Sequence, residues 1–147
     1  MTMNLFDQIR TSGGAMAAER LRAEIVAGNM ANAETTRTAE GGPYRRKQVI
    51  FSSAQPTFGM VLAKAGGEPA IGGGVRVLDI VQDSRDPVLR YEPGHPDANA
   101  EGMVAYPNID PIEETVDLMS ALRSYQLNAS AVQAAKQMIQ QSLEILK

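Results

Sequence analysis

Apolar residues recur along the first thirty positions with helical spacing. Phe6, Ile9, Met16, Ala23, Ala27 and Met30 follow one another at intervals of three, four and seven, which places them near one face of a helix. Asn4 is suited to cap it, with Asp7 three residues on reaching back as in a capping box. The pattern predicts a helix over 4–32. Gly13–Gly14 interrupts the stripe, and each glycine inside a helix costs about 1 kcal/mol against alanine. The pair has two readings: close approach of another backbone, or a hinge.

The other end of the chain carries a longer pattern. Asp110–Pro111–Ile112–Glu113 sets an N-cap, a first-turn proline and a capping-box glutamate in register. No proline or glycine follows Pro111, so one helix of roughly 36 residues and about 50 Å is expected. Leu118, Leu122, Tyr125, Ala129, Val132, Ile139, Leu143 and Leu146 alternate in steps of four and three, broken only at Lys136. That heptad seam implies a left-handed coiled-coil contact with another helix. Ile112, Val116 and Met119 form a shorter stripe on a different face. Both stripes could instead bury against one domain's core, but the middle of the chain offers few large apolar residues to cover so long a helix.

The remaining faces of this helix are unusual for a solvated surface. Between Ser124 and Leu143 the only charge is Lys136, and the polar positions are amides and hydroxyls: Gln126, Asn128, Ser130, Gln133, Gln137, Gln140, Gln141 and Ser142. Exposed helices ordinarily carry Glu and Lys there. Small residues and uncharged amides tolerate burial once hydrogen-bonded. The helix therefore reads as built for contact on several sides. The first helix supplies one partner and other subunits the rest, through heterologous contacts that extend into a helical array.

Between the helices, Pro43, Pro56, Pro69, Pro87, Pro93, Pro96 and Pro107 forbid long helix. Short strands are expected at 44–51, 57–62, 75–81 and 88–91, with a mobile loop bounded by Gly66–Gly67 and Gly72–Gly74. The expected fold is α+β: long N- and C-terminal helices paired as a coiled coil, with a small β-rich central insertion. Its boundaries are an N-terminal helix over 1–34, a Gly/Pro-rich β insertion over 35–108 and a C-terminal helix over 109–147.

Composition narrows the chemistry. The 147 residues are 44 % hydrophobic and 21 % charged, which excludes a disordered tail. No run reaches the ~18 apolar residues of a membrane span. The first residues lack the basic start and apolar run of an export signal, so none is expected. A net charge of −3 argues against nucleic acid as a partner, and Arg45–Arg46–Lys47, the one basic cluster, reads as a solvated or salt-bridged strand end. Cysteine is absent, excluding disulfides, thiolate metal sites and a thiol nucleophile. The single histidine, His95, lies near Glu92 and Asp97 between Pro93 and Pro96. This segment reads as a rigid turn in which His95 and Asp97 tie down backbone groups. The alternative is a small metal-assisted hydrolase using His95, Asp97 and Glu92. Nucleotide, phosphate-loop and hydrolase motifs are missing, so no catalytic residue, metal, cofactor or small-molecule substrate is expected. A closed helical dimer is a further alternative.

Several segments resemble a known family. Ala27-Gly28-Asn29-Met30-Ala31-Asn32-Ala33-Glu34-Thr35-Thr36, followed by Pro43-Tyr44-Arg45-Arg46, resembles the N-terminal signature of bacterial flagellar rod and hook proteins. The stretch Tyr91 to Gly102, then Tyr106-Pro107-Asn108-Ile109-Asp110-Pro111-Ile112-Glu113-Glu114, is similar to proximal-rod members of that family, as is Arg123-Ser124-Tyr125-Gln126-Leu127-Asn128-Ala129-Ser130. The resemblance implies a non-enzymatic subunit of the basal-body rod in the periplasmic space. It implies export by the flagellar type III apparatus without a cleaved signal, and polymerisation with itself and other rod proteins through paired terminal helices. Asn29, Asn32, Tyr125, Gln126 and Asn128 match family positions at helix junctions and packing surfaces. With the apolar stripes, the expected assembly interface comprises Ile9, Met16, Asn29, Met30, Asn32, Leu118, Leu122, Tyr125, Gln126, Asn128, Ala129, Val132, Ile139, Leu143 and Leu146.

Overall fold

The computed structural model describes residues 5–53 and 74–145. Asn4, Leu146, the strand expected at 57–62 and most of the expected glycine-bounded loop lie outside the described residues. In chain order the elements are α1 (Leu5–Ala31), β1 (Lys47–Ser53), β2 (Val75–Gln82), β3 (Val88–Tyr91), β4 (Met103–Tyr106) and α2 (Pro111–Ile145). This is the expected α+β arrangement of two long terminal helices around two small antiparallel sheets.

The helices begin and end where local chemistry allows. Asp110 Oδ1 accepts the Ile112 N–H at 2.8 Å, satisfying one of the donors that a helix start leaves free. At the end of α1 the Asn32 side-chain amide donates to the Gly28 carbonyl at 2.8 Å, and the Asn32 N–H bonds back into the last turn. The helix runs unbroken through Gly13–Gly14. A Cβ on Gly14 would stand 3.3 Å from the Val75 carbonyl oxygen, so the glycine serves the close approach of β2's backbone and not a hinge.

The helices pair antiparallel, with Asn29 of α1 beside Glu114 of α2 and Met16 beside Tyr125. Strands β1 and β2 pair from Lys47↔Gln82 to Ser53↔Val75, with Leu78 as an extra residue between Asp79↔Ile50 and Val77↔Phe51. Strands β3 and β4 pair from Val88↔Tyr106 to Tyr91↔Met103. Strand β4 was not expected from the sequence. It is the inward strand of its sheet, with Val104 and Tyr106 buried while β3 is exposed throughout.

The turn between β3 and β4 is tightly fastened. The Glu92 N–H bonds to the Gly102 carbonyl at 2.8 Å, and Asn99 Oδ1 accepts from the Glu101 and Met103 N–H groups. Gly102 has φ +75°, and a Cβ there would lie 2.9 Å from Tyr91 Cε2, so glycine is required twice over. Buried apolar side chains among the described residues are few and mostly small: Ala18, Val26, Val104, Tyr106, Ala121 and Ala135.

Candidate assembly interface

The seam that α2 turns toward α1 differs from the expected one at alternate positions. Leu118, Val132 and Ile139 are half-buried, and Ala121 and Ala135 are buried. Leu122 and Leu143, which the heptad pattern also favoured, are 49 % and 61 % exposed. The inner stripe is therefore Glu114, Leu118, Ala121, Asn128, Val132, Ala135 and Ile139, with Tyr125, 40 % exposed at its edge, completing the steps of four and three. Alanine at the inner positions lets two helices approach more closely than leucine does. Lys136, which broke the expected seam, is exposed.

The other expected interface residues occupy a spread of environments. On α1, Ile9, Met16 and Met30 are half-buried, as is Asn32 just beyond it. Asn128 is half-buried and donates to the Ser124 carbonyl at 2.9 Å, while Ala129 is half-buried and Gln126 exposed. Met16, Tyr125, Gln126, Ala129 and Val132 share the wall of an open groove of about 600 Å³ along the helix pair.

Asn29 lies at the centre of a buried polar junction. Its Nδ2 donates to the Lys47 carbonyl at 2.8 Å and to Glu114 Oε2 at 2.9 Å. Its Oδ1 accepts the Lys47 N–H at 2.9 Å and the Tyr44 hydroxyl at 3.2 Å. The Arg46 guanidinium donates from Nε to the other Glu114 oxygen and contacts Asp117 at 3.5 Å, and Arg22 reaches Asp117 at 3.1 Å. Glu114 is fully buried and Arg46 nearly so. Burial pushes the Tyr44 phenol above its ordinary range, and the Glu114 charge adds to that. Three separate segments thus meet on one ion pair and one amide.

Sequence reasoning found Asn29 but not Arg46, Glu114, Asp117 or Arg22 as partners. Arg46 is the salt-bridged strand end that the basic cluster allowed, at far greater depth. Glu114 carries one sequence signal, standing seven residues before Ala121 on the same stripe.

Away from the junction stripe, α2 bears an exposed apolar ridge. Ile112, Val116, Met119, Leu127 and Met138 are 75 %, 61 %, 67 %, 63 % and 46 % exposed. The first three form the shorter stripe seen in the sequence; Leu127 resumes that side of the helix past Arg123, while Met138 flanks the inner seam beside Ile139.

The His95 segment is a fastened turn. His95 Nδ1 accepts the Asp97 N–H at 3.1 Å, and Tyr106 donates its hydroxyl to Glu92 at 2.9 Å. That bond raises the Tyr106 phenol, with burial adding to it. The Asp97 carboxylate accepts from Thr36 at 2.8 Å and pairs with Arg37 at 3.3 Å, so the hairpin is tied to the loop after α1. The carboxylates of Glu92 and Asp97 thus point to separate partners instead of converging on His95.

The two ends of the chain match known family models. Residues 9–37 match the model described as flagella basal body rod protein, and residues 100–145 match the C-terminal model of flagellar basal body rod FlgEFG proteins. The flagellar basal-body rod protein FlgC of Bacillus subtilis strain 168 is 43 % identical over 150 residues, covering 99 % of this chain and 100 % of the relative. The FlgC of Borreliella burgdorferi is 36 % identical, covering 99 % of both chains. That of Escherichia coli O6:H1 is 38 % identical, covering 97 % of this chain and 96 % of its own. The chain belongs to the flagellar basal-body rod protein family. The two stretches matched by the rod-family models hold most of α1 with the start of the loop after it, and β4 with α2. They therefore carry Arg22, Asn29, Glu114 and Asp117, four of the residues that meet at the junction.

Proposed function

We propose that this rod-family subunit assembles by packing its paired terminal helices against neighbouring rod subunits, with the α2 ridge as a principal contact. As a family member it is a structural component of the flagellar basal-body rod and works together with other rod components. The finer reading is a subunit of the proximal rod that transmits torque without catalysing a reaction. It reaches the periplasmic space through the flagellar type III export apparatus.

The observation that carries this reading is the ridge of Ile112, Val116, Met119 and Leu127, exposed on the side of α2 away from its inner stripe. Exposed apolar side chains in contiguous helical register mark a contact surface. From Ser124 on, the neighbouring positions apart from Lys136 are amides, hydroxyls and small residues, which add hydrogen bonds on burial without the desolvation cost of charge, whereas Glu113 and Arg123 flank the earlier part of the ridge. An α2 with alanine at two inner positions and large apolar residues outside as well as inside is suited to meet α1 closely and other helices as well.

The test is paired substitution, Met119→Asp with Leu127→Asp, alongside Leu122→Asp. These exposed sites leave the thermal melt of the isolated subunit nearly unchanged, while incorporation into basal bodies and motility are lost. Normal rod assembly in both variants overturns the proposal.

A further inference from the structure

The α2 sequence offers two seams for α1, and the structure uses the less apolar one. Leu118, Tyr125, Val132 and Ile139 belong to both. Glu114, Ala121, Asn128 and Ala135 complete the seam observed; Leu122, Ala129, Lys136 and Leu143 would complete the other. Successive residues are roughly 100° apart, so exchanging one set for the other turns α2 by roughly 50° about its axis. Apolar area favours the second seam through Leu122 and Leu143. Something must select the first.

We propose that Glu114 is a register pin that fixes the rotation of α2 against α1. It stands at the head of the small-residue stripe, and its carboxylate is held from two other segments, by Arg46 and by Asn29 Nδ2. A turn of roughly 50° at the outer radius of a helix carries the carboxylate about 5 Å, out of reach of both donors. Arg46, 5 % exposed, would then sit buried beside a lost partner. Removing one member of a buried pair is strongly unfavourable, and a buried polar group at one seam position is a known way to impose register. Asp117, one turn along, is held on the same side by Arg22 and Arg46. The pin thereby holds the Ile112–Leu127 ridge away from α1. Its significance for the rod rests on the assembly proposed above, but the rotation can be measured without it.

The chain has no cysteine, so single thiols placed by Ala121→Cys or Leu122→Cys report rotation through their reaction with a water-soluble maleimide in the full-length subunit. With the junction intact, the thiol at position 122 reacts faster than that at 121 by about tenfold or more. In the double variant Glu114→Leu with Arg46→Met, which replaces the pair by apolar groups, that ratio falls below about threefold or inverts while helicity by circular dichroism is kept. If the double variant loses helicity, Glu114→Gln decides, since it keeps the size and removes the charge; its ratio falls by at least about threefold. A preserved ratio in whichever variant retains helicity overturns the pin. Loss of rod incorporation with this ratio intact belongs to the assembly reading instead, so the two failures are distinguishable.

Discussion

Replacing Asn29 measures what the junction contributes to stability. All four hydrogen-bonding positions of its amide are occupied: two donors to Lys47 O and Glu114 Oε2, two lone pairs from Lys47 N–H and the Tyr44 hydroxyl. Asn29→Ala removes one bond to a buried carboxylate, about 1.5–3 kcal/mol, and two to a half-buried backbone, about 0.5–1.5 kcal/mol each. Half-buried Tyr44 recovers its bond from water. The expected loss is about 2.5–6 kcal/mol, a large share of the 5–15 kcal/mol typical of a domain. With a urea slope of about 2 kcal/mol per molar, the midpoint followed by far-UV circular dichroism falls by about 2 M. Asn29→Asp sharpens the test. It is nearly isosteric, but it faces the Glu114 carboxylate with a second one and loses both donors. It should therefore be at least as damaging as alanine. A role in filling space predicts the reverse order. Finding aspartate the milder change, or an alanine shift below about 0.5 M, refutes the reasoning.

Gly102→Ala forces a side chain onto φ +75° and against Tyr91 and Pro93; it should destabilise by at least about 1–2 kcal/mol, read as a lowered melting temperature, and an unchanged melt refutes it. Tyr44 and Tyr106 hold their phenolic protons more tightly folded than unfolded. The unfolded chain therefore loses these protons first, and stability falls as pH rises past about 10. Tyr44→Phe should reduce that loss, and an identical alkaline limb in the variant refutes the assignment. Amide exchange in the free subunit should be slowest around Asn29 and Glu114 and faster toward the start of α1 and the end of α2, the parts of the helices farthest from the junction. Uniform protection along both helices contradicts this.

The helices were legible because helix grammar is local. Asp110, Pro111 and the unbroken run after them define α2 within a few residues of sequence. Gly28 and Asn32 likewise lie close to the end of α1, where their bond closes the last turn. Strands expected at 75–81 and 88–91 appear at Val75–Gln82 and Val88–Tyr91, since prolines and glycines bound them. Strand β4 was missed because its four residues take their meaning from pairing with β3, which no local pattern announces. The inner seam was misplaced by one residue at alternate positions because a search for periodic bulk prefers Leu122 to Ala121. Glu114 was hidden most completely. A glutamate in the first turn of a helix reads as a favourable charge near the dipole, and the arginine that explains its burial is 68 residues away in sequence.

Those two oversights share a physical cause, which also accounts for how the subunit is built. Ordinary globular helices put their large apolar residues inward and become specific through close packing of that core. Here Ala121 and Ala135 thin an inner stripe otherwise carried by Leu118, Tyr125, Val132 and Ile139, while Ile112, Met119 and Leu127 lie exposed outside. Covering five side chains such as Ile112, Val116, Met119, Leu127 and Met138 in an assembly would release about 5–10 kcal/mol, allowing for partial burial. A shallow inner seam leaves the rotation of α2 weakly determined by packing alone. A buried ion pair and a saturated amide are suited to that task, because displacing either leaves desolvated polar groups unmatched. Directional polar contacts therefore define the subunit's internal geometry, while exposed apolar area remains on the outside, where the proposed assembly would cover it. Bulk-seeking patterns detect the second and overlook the first.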